Sequence, residues 1–355
     1  MLKRQQTVST ASPSPPRARV VSWVTWTLLA AVATPLPATA WSYWLSEVAI
    51  SAAHLLAALA AALAVWLAMR GQRGLAALAL ILAVTNAALV LRPVGAAGAQ
   101  GDAQTGAQAA EPAALCAKPL RMVSLNVLRS NQSPVIVTDY LETGGFDLVF
   151  LQEYNEWHVW PWMLQHLRDR YPYQVTLEGR DVAILSRLPF VESGVDATIS
   201  TAFDNLFLAA GTIHAVIRVR DREVVLVSAH LSSPKTQGLF KERNRQLALL
   251  ADLLPGLDRP VILGADLNGV RWNPRIVAFL KSAGLRYLDH GMPPPATRPN
   301  WLPVLGVQID YVAPSADAFT GTQAVGPDVG SDHLPLEATL CPTWSAPGLP
   351  APKGS

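Results

Sequence analysis

The stretch Ser331–Leu336, with the sequence SDHLPL, lies near the end of the chain and decides how the rest is interpreted. It puts an acid beside an imidazole, directly before a short apolar run. Histidine has the side chain whose ordinary pKa lies nearest neutral, which suits it to accept a proton from water. A neighbouring carboxylate can orient that imidazole or bind a metal. Ordinary polar loops also contain Asp-His pairs, so the meaning of this one depends on the residues upstream.

Upstream, polar side chains follow short strand-like runs in a repeated pattern. One run after another ends on a carboxylate, an amide or an imidazole. Strand ends are where sheet proteins build their sites, so this placement predicts a shared site at one edge of a sheet. With the first stretch included, the candidates are Asn126, Glu153, His230, Asp266, Asn268, Asp310, Asp332 and His333.

The chemistry of this set favours a hard cation and hydrolysis. Oxygen ligands with carboxylates suit Mg²⁺ or Mn²⁺. The chain has no HExxH motif and no cysteine ligand set, which argues against structural zinc. It also lacks a glycine-rich phosphate loop and a GxSxG motif, so a P-loop NTPase or an α/β-hydrolase is not expected. A cation among amides and imidazoles can promote attack by water on a phosphoester.

The first part of the chain is predicted to cross a membrane. Of the 355 residues 50% are hydrophobic, and the excess is concentrated before residue 95. We expect a cytoplasmic tail at 1–19 and a transmembrane region at 20–94. Its spans, each near the roughly 20 residues that a bilayer requires, are expected at about 20–44, 46–69 and 75–94. The lipid bilayer is thus one predicted partner.

Basic residues set the expected orientation, because they favour the cytoplasmic side. The tail is basic, and so is the short loop Arg70–Gly74. Three crossings then put everything after the last span outside. Alternatively the first segment is a cleaved signal peptide, with Ala38–Ala40 as its small-residue cleavage site. Two crossings remain in that case, and the C-terminal part is again outside.

The remainder divides into a flexible linker at 95–118, a folded domain at 119–342 and a disordered tail at 343–355. The domain mixes short strands with amphipathic helices, which predicts a layered α/β or α+β sandwich. It contains 19 lysine and arginine residues against 23 aspartate and glutamate residues, a net charge of −4. Because nonspecific DNA binders usually carry a basic face, this charge counts modestly against nucleic acid as the partner.

The two cysteines, Cys116 and Cys341, bracket the folded domain. In an oxidising compartment they could form a disulfide that joins the start of the domain to its end. Two unpaired thiols are the alternative, and the sequence leaves both open. It also leaves the oligomeric state open.

Six short motifs in order resemble those of the endonuclease/exonuclease/phosphatase (DNase I-like) superfamily. Its members include DNase I-like nucleases, neutral sphingomyelinases and inositol polyphosphate 5-phosphatases. The motifs are SLNV (124–127), LQE (151–153), SAHL (228–231), GADLN (264–268), IDYV (309–312) and SDHLPL (331–336). With the hydrophobic N-terminus, the chain also resembles the membrane-anchored bacterial branch that includes VanJ-type proteins. The resemblance implies a four-layered α/β sandwich, preceded by two to three transmembrane helices, in a bacterial cell membrane.

The resemblance also implies a role for the metal-binding candidates. Glu153 is the implied main ligand of Mg²⁺, or of Mn²⁺, with help from Asn126. Asp332 is implied to support either the metal or the neighbouring His333.

The remaining candidates receive catalytic roles from the same resemblance. His333 is the implied general base, oriented by Asp310. Asp266 and Asn268 are implied to position the phosphate and the nucleophile. His230 is implied to bind the phosphate and to stabilise the leaving oxygen. The activity implied is that of a metal-dependent phosphoric ester hydrolase.

Three functions remain open within this resemblance. The first is a membrane-anchored, extracytoplasmic phosphoesterase acting on a lipid-linked or envelope substrate. The second is an extracytoplasmic nuclease. Some abasic-site nucleases carry an acid two residues after the first Asn, where this chain has Leu128, which argues against that activity. The third is a non-catalytic sensor or binding module. The candidate site argues against it, because all eight positions carry residues that are chemically competent.

Two further features are weaker candidates. Arg243 and Gln246 lie three positions apart on one predicted helix and either face the site or form a solvated helix face. Asp181 precedes the predicted strand Val182–Ser186 and could approach the site.

Overall fold

The computed structural model describes residues 16–40, 42–91, 116, 118–154, 160–176, 181–192, 211–288, 296–302 and 305–344, without the side chains of 16–22. Most of the predicted tails and linker, at 1–19, 95–118 and 343–355, lies outside these ranges. By their contacts the residues form two units. The first comprises 1–40 and 52–90, and the second comprises 41–51 and 91–355.

The N-terminal region is helical. Its helices are α1 (Pro16–Ala33), α2 (Pro35–Ala38), α3 (Leu45–Ser51), α4 (Ala53–Met69) and α5 (Arg73–Leu91). Among the described residues α5 is the one helix long and apolar enough to cross a membrane. Helices α3 and α4 pass the same test only as a pair, bent by 61° at the break. The span expected at 46–69 is therefore divided, and its first helix belongs by contacts to the second unit.

The second unit contains eleven strands and four further α-helices among its described residues. In chain order they are β1 (Leu120–Asn126), α6 (Pro134–Thr143), β2 (Leu148–Gln152), α7 (Trp160–His166), β3 (Tyr173–Thr176), β4 (Val182–Ser186), β5 (Phe190–Glu192), β6 (Thr212–Val219), β7 (Arg222–His230), α8 (Gln237–Leu253), β8 (Val261–Asp266), α9 (Pro274–Ser282), β9 (Asp310–Pro314), β10 (Phe319–Val325) and β11 (Leu336–Pro342). A 3₁₀ turn, Leu254–Leu257, follows α8.

The strands form two mixed sheets. One has the order β10-β11-β1-β2-β4-β3 and the other β5-β6-β7-β8-β9. Each sheet has one parallel pair, β1 with β2 and β7 with β8. The pairs β8–β9 and β1–β11 are antiparallel. In the first sheet, the carboxyl ends of β1 and β2 therefore lie at the same edge as the beginning of β11. In the second sheet, the carboxyl ends of β7 and β8 lie at the same edge as the beginning of β9.

Three buried apolar clusters separate four layers, as the resemblance implies. The central cluster joins the facing sheets, with Met122 and Phe150 from one and Ile217 and Ile262 from the other. A second cluster lies between the β5–β9 sheet and helices α8 and α9. A third lies between the other sheet and helices α6 and α7. The chain is therefore an α/β sandwich with helices outside both sheets.

The close approach of the two sheets requires a glycine at position 264. A Cβ atom there would overlap the ring of Phe150. Gly264 lies on β8 two residues before Asp266, so this contact also fixes the strand that carries a candidate site residue. Helix α6 has Pro134 in its first turn and ends at Thr143, directly before Gly144.

The two cysteines are paired. Cys116 and Cys341 form a disulfide with a Cα–Cα distance of 6.0 Å. Cys341 lies on β11 at the end of the domain. The bridge therefore joins the residue that precedes β1 to the last strand, which is the first of the two alternatives that the sequence left open.

Candidate active site

The eight candidate residues lie at one end of the two sheets. Asn126 ends β1 and is level with Gln152, directly before Glu153. His230 and Asp266 are paired at the ends of β7 and β8. Asp310 is paired with Asp266 and begins β9. Strand β9 begins at Asp310 itself.

His333 is fixed by a buried aspartate. Its Nδ1 atom lies 2.9 and 3.1 Å from the two carboxylate oxygens of Asp310. The backbone N–H of His333 donates to the hydroxyl of Ser331, which itself donates to the carbonyl of Asn126. Burial opposes the charged imidazole, but the charge and hydrogen bond of Asp310 outweigh it and raise the pKa of His333 to about 9. Because Nδ1 is engaged, Nε2 is the nitrogen available for proton transfer.

His230 has an aspartate partner of its own. Its Nδ1 atom lies 2.7 Å from Oδ2 of Asp181, whose side chain also contacts the guanidinium of Arg129 at 3.2 Å. Burial again disfavours the charged ring, but the charge and hydrogen bond of Asp181 prevail and raise the pKa of His230 to about 9. The site therefore contains two imidazoles, each held through Nδ1 by a carboxylate.

Asp266 lies between the two histidines. Its Oδ2 atom is 3.8 Å from Nε2 of His333 and 3.9 Å from Nε2 of His230. The amide of Asn126 donates to the same oxygen at 3.1 Å. The other oxygen accepts the backbone N–H of Asn268 at 2.8 Å, and that residue has a left-handed backbone with φ 49°. A group bound beside Asp266 would thus contact both imidazoles.

Glu153 lies on the other side of the same amide. Asn126 Nδ2 donates to Oε1 of Glu153 at 3.2 Å, and the backbone N–H of Arg129 donates to Oε2 at 3.0 Å. Glu153 also has a left-handed backbone, with φ 55°, directly after β2. Burial would raise the pKa of Glu153, but the Arg129 N–H, the charge of His230 and the Asn126 amide hold it below its ordinary value.

The donor set fits a divalent cation. Within the described part of the chain, one group of at least three acidic, histidine or cysteine side chains brings ligand atoms within 4.8 Å of one another, namely Asp266, Asp310 and His333. Both oxygens of Asp310 already contact the imidazole, so the position that better suits Mg²⁺ lies between the carboxylates of Glu153 and Asp266. The Nδ2 of Asn126 faces both carboxylates and its oxygen accepts the backbone N–H of Leu128, so Asn126 would become a ligand only with its amide turned. Burial, and next the charge of Asp310, raise the pKa of Asp266. A cation would offset that accumulation of buried negative charge.

Asp332 lies beside this group rather than inside it. Its carboxylate contacts the guanidinium of Arg298 at 2.8 Å, and its Oδ1 atom is 4.0 Å from Nε2 of His333. Asp332 is partly exposed, whereas His333 is buried. This placement suits support of His333 better than direct binding of a cation at Glu153.

A cavity of about 330 Å³ opens onto the site. Four of the eight candidates, Glu153, His230, Asp266 and Asn268, line it together with basic side chains. The basic ones are Arg129, Lys235 and Arg298. Lys235 is exposed, and the two arginines are at least one-third exposed at their side chains. A larger cavity of about 470 Å³, lined by residues such as Tyr154 and Arg168, contains none of the eight candidates. Three acids, Glu153, Asp181 and Asp266, line the same cavity. Asp181 and Asp266 are buried, so the exposed part of the lining carries the basic groups.

Sequence reasoning underrated several neighbours of the site. Asp181 was a weak candidate, although its position directly before β4 was the signal for it. Arg298 had no motif at all. Arg243 and Gln246 do not form a solvated helix face, because both are buried. Gln246 accepts the backbone N–H of Ser232, and Arg243 donates to the carbonyl of Asn268.

Comparison with known proteins establishes the family. Residues 123–333 match the model of the Endonuclease/Exonuclease/phosphatase family, so the chain belongs to that family. It is an enzyme, a metal-dependent phosphoric ester hydrolase. A search of curated proteins finds no match.

Solved structures show the same fold at low identity. A beta toxin from Staphylococcus aureus is 19% identical, with TM-score 0.50, covering 62% of this chain and 99% of its own. D. rerio TDP2, complexed with a single-strand DNA product, is 21% identical, with TM-score 0.50, covering 63% and 99%. A double mutant of the S. aureus beta toxin, solved with bound magnesium ions, is 18% identical with TM-score 0.49, covering 62% and 99%. At these identities the likeness concerns the fold.

Proposed function

We propose that the chain is a membrane-anchored, extracytoplasmic phosphoesterase that uses Mg²⁺ and hydrolyses a lipid-linked or envelope phosphodiester or phosphomonoester. The observation that carries this proposal is the arrangement around Asp266. Two aspartate-held imidazoles approach one of its oxygens, and an amide links that oxygen to Glu153. Such a site can hold a phosphate, remove a proton from water and supply a proton to the leaving group.

His333 is the proposed general base. Asp310 holds its Nδ1–H, so the tautomer that results leaves Nε2 free to accept a proton from water. This role requires a neutral ring, and because the pKa of His333 is about 9, the neutral fraction and with it the rate should rise as the pH rises towards 9. Asp266 and Asn268 are proposed to position the phosphate and the nucleophile, since the carboxylate and the backbone N–H of Asn268 are joined at 2.8 Å.

His230 is the proposed donor to the leaving oxygen. With a pKa of about 9, its imidazole is protonated at neutral pH and can donate through Nε2. Asp181 fixes the ring through Nδ1 at 2.7 Å. The two histidines thus divide the proton transfers between them.

The Mg²⁺ ion would be held by the carboxylates of Glu153 and Asp266, and by Asn126 with its amide turned so that the oxygen replaces Nδ2. When bound it would act as a Lewis acid on a phosphoryl oxygen and offset the charge of the transition state. Manganese suits the same ligands. Asp332 is proposed to support His333, with Arg298 fixing the carboxylate at 2.8 Å.

The substrate is proposed to be anionic and attached to a lipid. Arg129, Lys235 and Arg298 line the cavity and favour negative charge. Helix α5 has the length and composition of a membrane span and would keep the enzyme beside the bilayer. Membership of the VanJ-type branch, which the sequence resembles, stays a prediction because it depends on this N-terminal region.

Hydrolysis of a substrate panel tests the proposed reaction. The full chain, purified in detergent, would be assayed with Mg²⁺ or with EDTA on bis-p-nitrophenyl phosphate, p-nitrophenyl phosphate, a polyprenyl phosphate ester and duplex DNA. We expect Mg²⁺-dependent hydrolysis of the small esters and of the lipid. Cleavage of DNA in preference to the lipid would favour the nuclease alternative, and the absence of all turnover would favour the binding module.

Accessibility in intact cells tests the proposed location. Lys241 is exposed on α8, and Gln72 is exposed between α4 and α5. A membrane-impermeant maleimide should label a Lys241→Cys variant in intact cells and a Gln72→Cys variant only after permeabilisation. The reverse pattern would contradict the extracytoplasmic orientation.

A further inference from the structure

A short segment of the N-terminal region belongs to the catalytic unit. Residues 41–51, which lie in the sequence between α2 and α4, are assigned to that unit by their contacts. The backbone N–H of Trp44 donates to the side chain of Gln237 at 3.0 Å, and the Gln237 amide donates to the carbonyl of Ser42 at 3.1 Å. Farther along, the indole N–H of Trp272 donates to the carbonyl of Ile50 at 2.6 Å. The segment is therefore fixed at both ends.

Between these anchors, Glu47 is buried in a cluster of polar side chains. Its Oε1 atom lies 2.6 Å from a guanidinium nitrogen of Arg243 and 3.5 Å from one of Arg275. Its Oε2 atom accepts the side-chain N–H of Asn273 at 2.6 Å. Glu47 is 4% exposed and Arg243 is 0% exposed. Because a buried charge requires a compensating partner, the acid and the two arginines depend on one another.

Arg243 connects this cluster to the candidate active site. Its Nη1 atom donates to the carbonyl of Asn268 at 3.0 Å. The N–H of the same Asn268 donates to Asp266 at 2.8 Å. The next residue, Gly269, has no room for a side chain, since a Cβ there would lie 2.6 Å from Arg243 Nη1. The guanidinium thus packs directly against the turn that follows β8.

We propose that Glu47 is a positioning residue for the active site. It fixes the guanidinium of Arg243, which in turn holds the left-handed turn at Asn268 and hence the orientation of Asp266. The segment 42–51 would then do more than connect two hydrophobic helices, because it would complete the support of the site from outside the family-matched region. This inference rests on the proposed phosphoesterase function.

Replacement of Glu47 should disturb the turn at Asn268 that follows β8. Without the carboxylate, the fully buried guanidinium of Arg243 loses the acid that it contacts. Arg243 would move away from its position, and the carbonyl of Asn268 would lose its donor. The expected result is a disordered Asp266–Asn268 turn within a protein whose sheets are still formed.

The test uses the full chain in detergent and compares Glu47→Gln with Glu47→Asp and a control. Glu223→Gln is the matched control, because Glu223 also pairs with arginines but lies at the start of β7, at the opposite end from His230. With bis-p-nitrophenyl phosphate and Mg²⁺, Glu47→Gln should lower kcat at least tenfold with a smaller change in KM. Glu47→Asp should recover part of the loss, and Glu223→Gln should keep wild-type kcat.

A double variant separates positioning from a general loss of stability. If Glu47 acts through the turn, Glu47→Gln should have little further effect on kcat in an Asn268→Ala background. Additive losses, or wild-type kcat in Glu47→Gln measured well below its Tm, would overturn the proposal.

Hydrogen exchange gives a readout that does not need activity. Peptides covering residues 264–272 should exchange faster in Glu47→Gln than in Glu223→Gln. Unchanged exchange there would overturn the positioning role even if the wild-type chain hydrolysed no substrate. Faster exchange in Glu47→Gln, with a wild-type chain that shows no turnover, would instead support the positioning role and contradict the proposed function.

Discussion

Replacement of Asp181 by asparagine should change the protonation of His230. Asp181 contacts Nδ1 of His230 at 2.7 Å, and its charge and hydrogen bond are the main contributions that overcome burial and raise the pKa of His230 to about 9. Asparagine keeps the shape of the side chain but removes the charge. With burial then opposed only by the charges of Asp266 and Glu153, the pKa of His230 should fall towards its ordinary value of 6.5.

The expected magnitude follows from that difference. At about 1.4 kcal/mol per pH unit, a fall in the pKa from about 9 to about 6.5 removes roughly 3.5 kcal/mol of stabilisation of the imidazolium. At pH 8 the protonated fraction would fall from about 90% to about 3%, so a reaction that needs protonated His230 should slow roughly 30-fold. At pH 6 the loss should be less than about twofold.

The stability of the fold should also depend on pH through the His230–Asp181 ion pair. Because the pKa of His230 is raised in the folded state, the ion pair stabilises the fold fully below about pH 6.5, and this contribution is lost as the pH rises through about 9. Asp181→Asn should therefore lower Tm more at pH 6 than at pH 10.

Two assays check this prediction. Titration of the His230 ring by NMR in Mg²⁺-free protein gives the pKa directly, and the pH dependence of kcat gives its effect on the reaction. Asp147→Asn is the matched control, since Asp147 pairs with Arg187 next to the start of β2, at the opposite end of the strand from Glu153. An Asp181→Asn enzyme that retained both the wild-type pKa and the wild-type pH profile would refute the reasoning.

Three further predictions concern the metal, the sheet contact and the disulfide. Glu153→Gln should raise the Mg²⁺ concentration for half-maximal activity at least about tenfold, measured by metal titration of the rate; an unchanged value would exclude Glu153 as a ligand. Gly264→Ala should lower the free energy of unfolding by about 1–3 kcal/mol, measured by denaturant titration, because the new methyl would overlap Phe150; wild-type stability would contradict this packing. Removing the bridge in a Cys116→Ser, Cys341→Ser double variant should cost about 2–5 kcal/mol of stability by the same measurement, while the rate well below Tm stays near wild type; full stability would show the bridge to be dispensable.

Much of the fold was predictable where burial leaves a continuous apolar run. The strand Val182–Ser186 has the bounds that the sequence predicts, because every residue in it is buried. The strand Phe319–Val325 was not expected. It lies at the edge of its sheet and contains exposed and half-buried Thr and Gly residues, so its sequence resembles a loop.

The candidate site was predictable where residue type and motif order coincide. The contact between His230 and Asp181 was less predictable, because 49 positions separate the two residues and only the pairing of the strands brings them together. Glu47 lies at the edge of the membrane span that the sequence predicts at 46–69. Hydrophobicity indicates that a helix is covered, but it does not show whether lipid or protein covers it. Here the buried Arg243 and the partly exposed Arg275 contact the acid.

The central claim is that His333 and the acids around it catalyse metal-dependent hydrolysis of a phosphoester. The most direct measurement compares bis-p-nitrophenyl phosphate hydrolysis by the wild-type chain, His333→Ala and His166→Ala, each with Mg²⁺ and with EDTA. His166 is half-exposed and pairs with Glu142, so its replacement controls for loss of a histidine outside the site. Turnover that requires Mg²⁺, persists in His166→Ala and falls by at least about a hundredfold in His333→Ala is the predicted result. Equal turnover in wild type and His333→Ala would contradict the account.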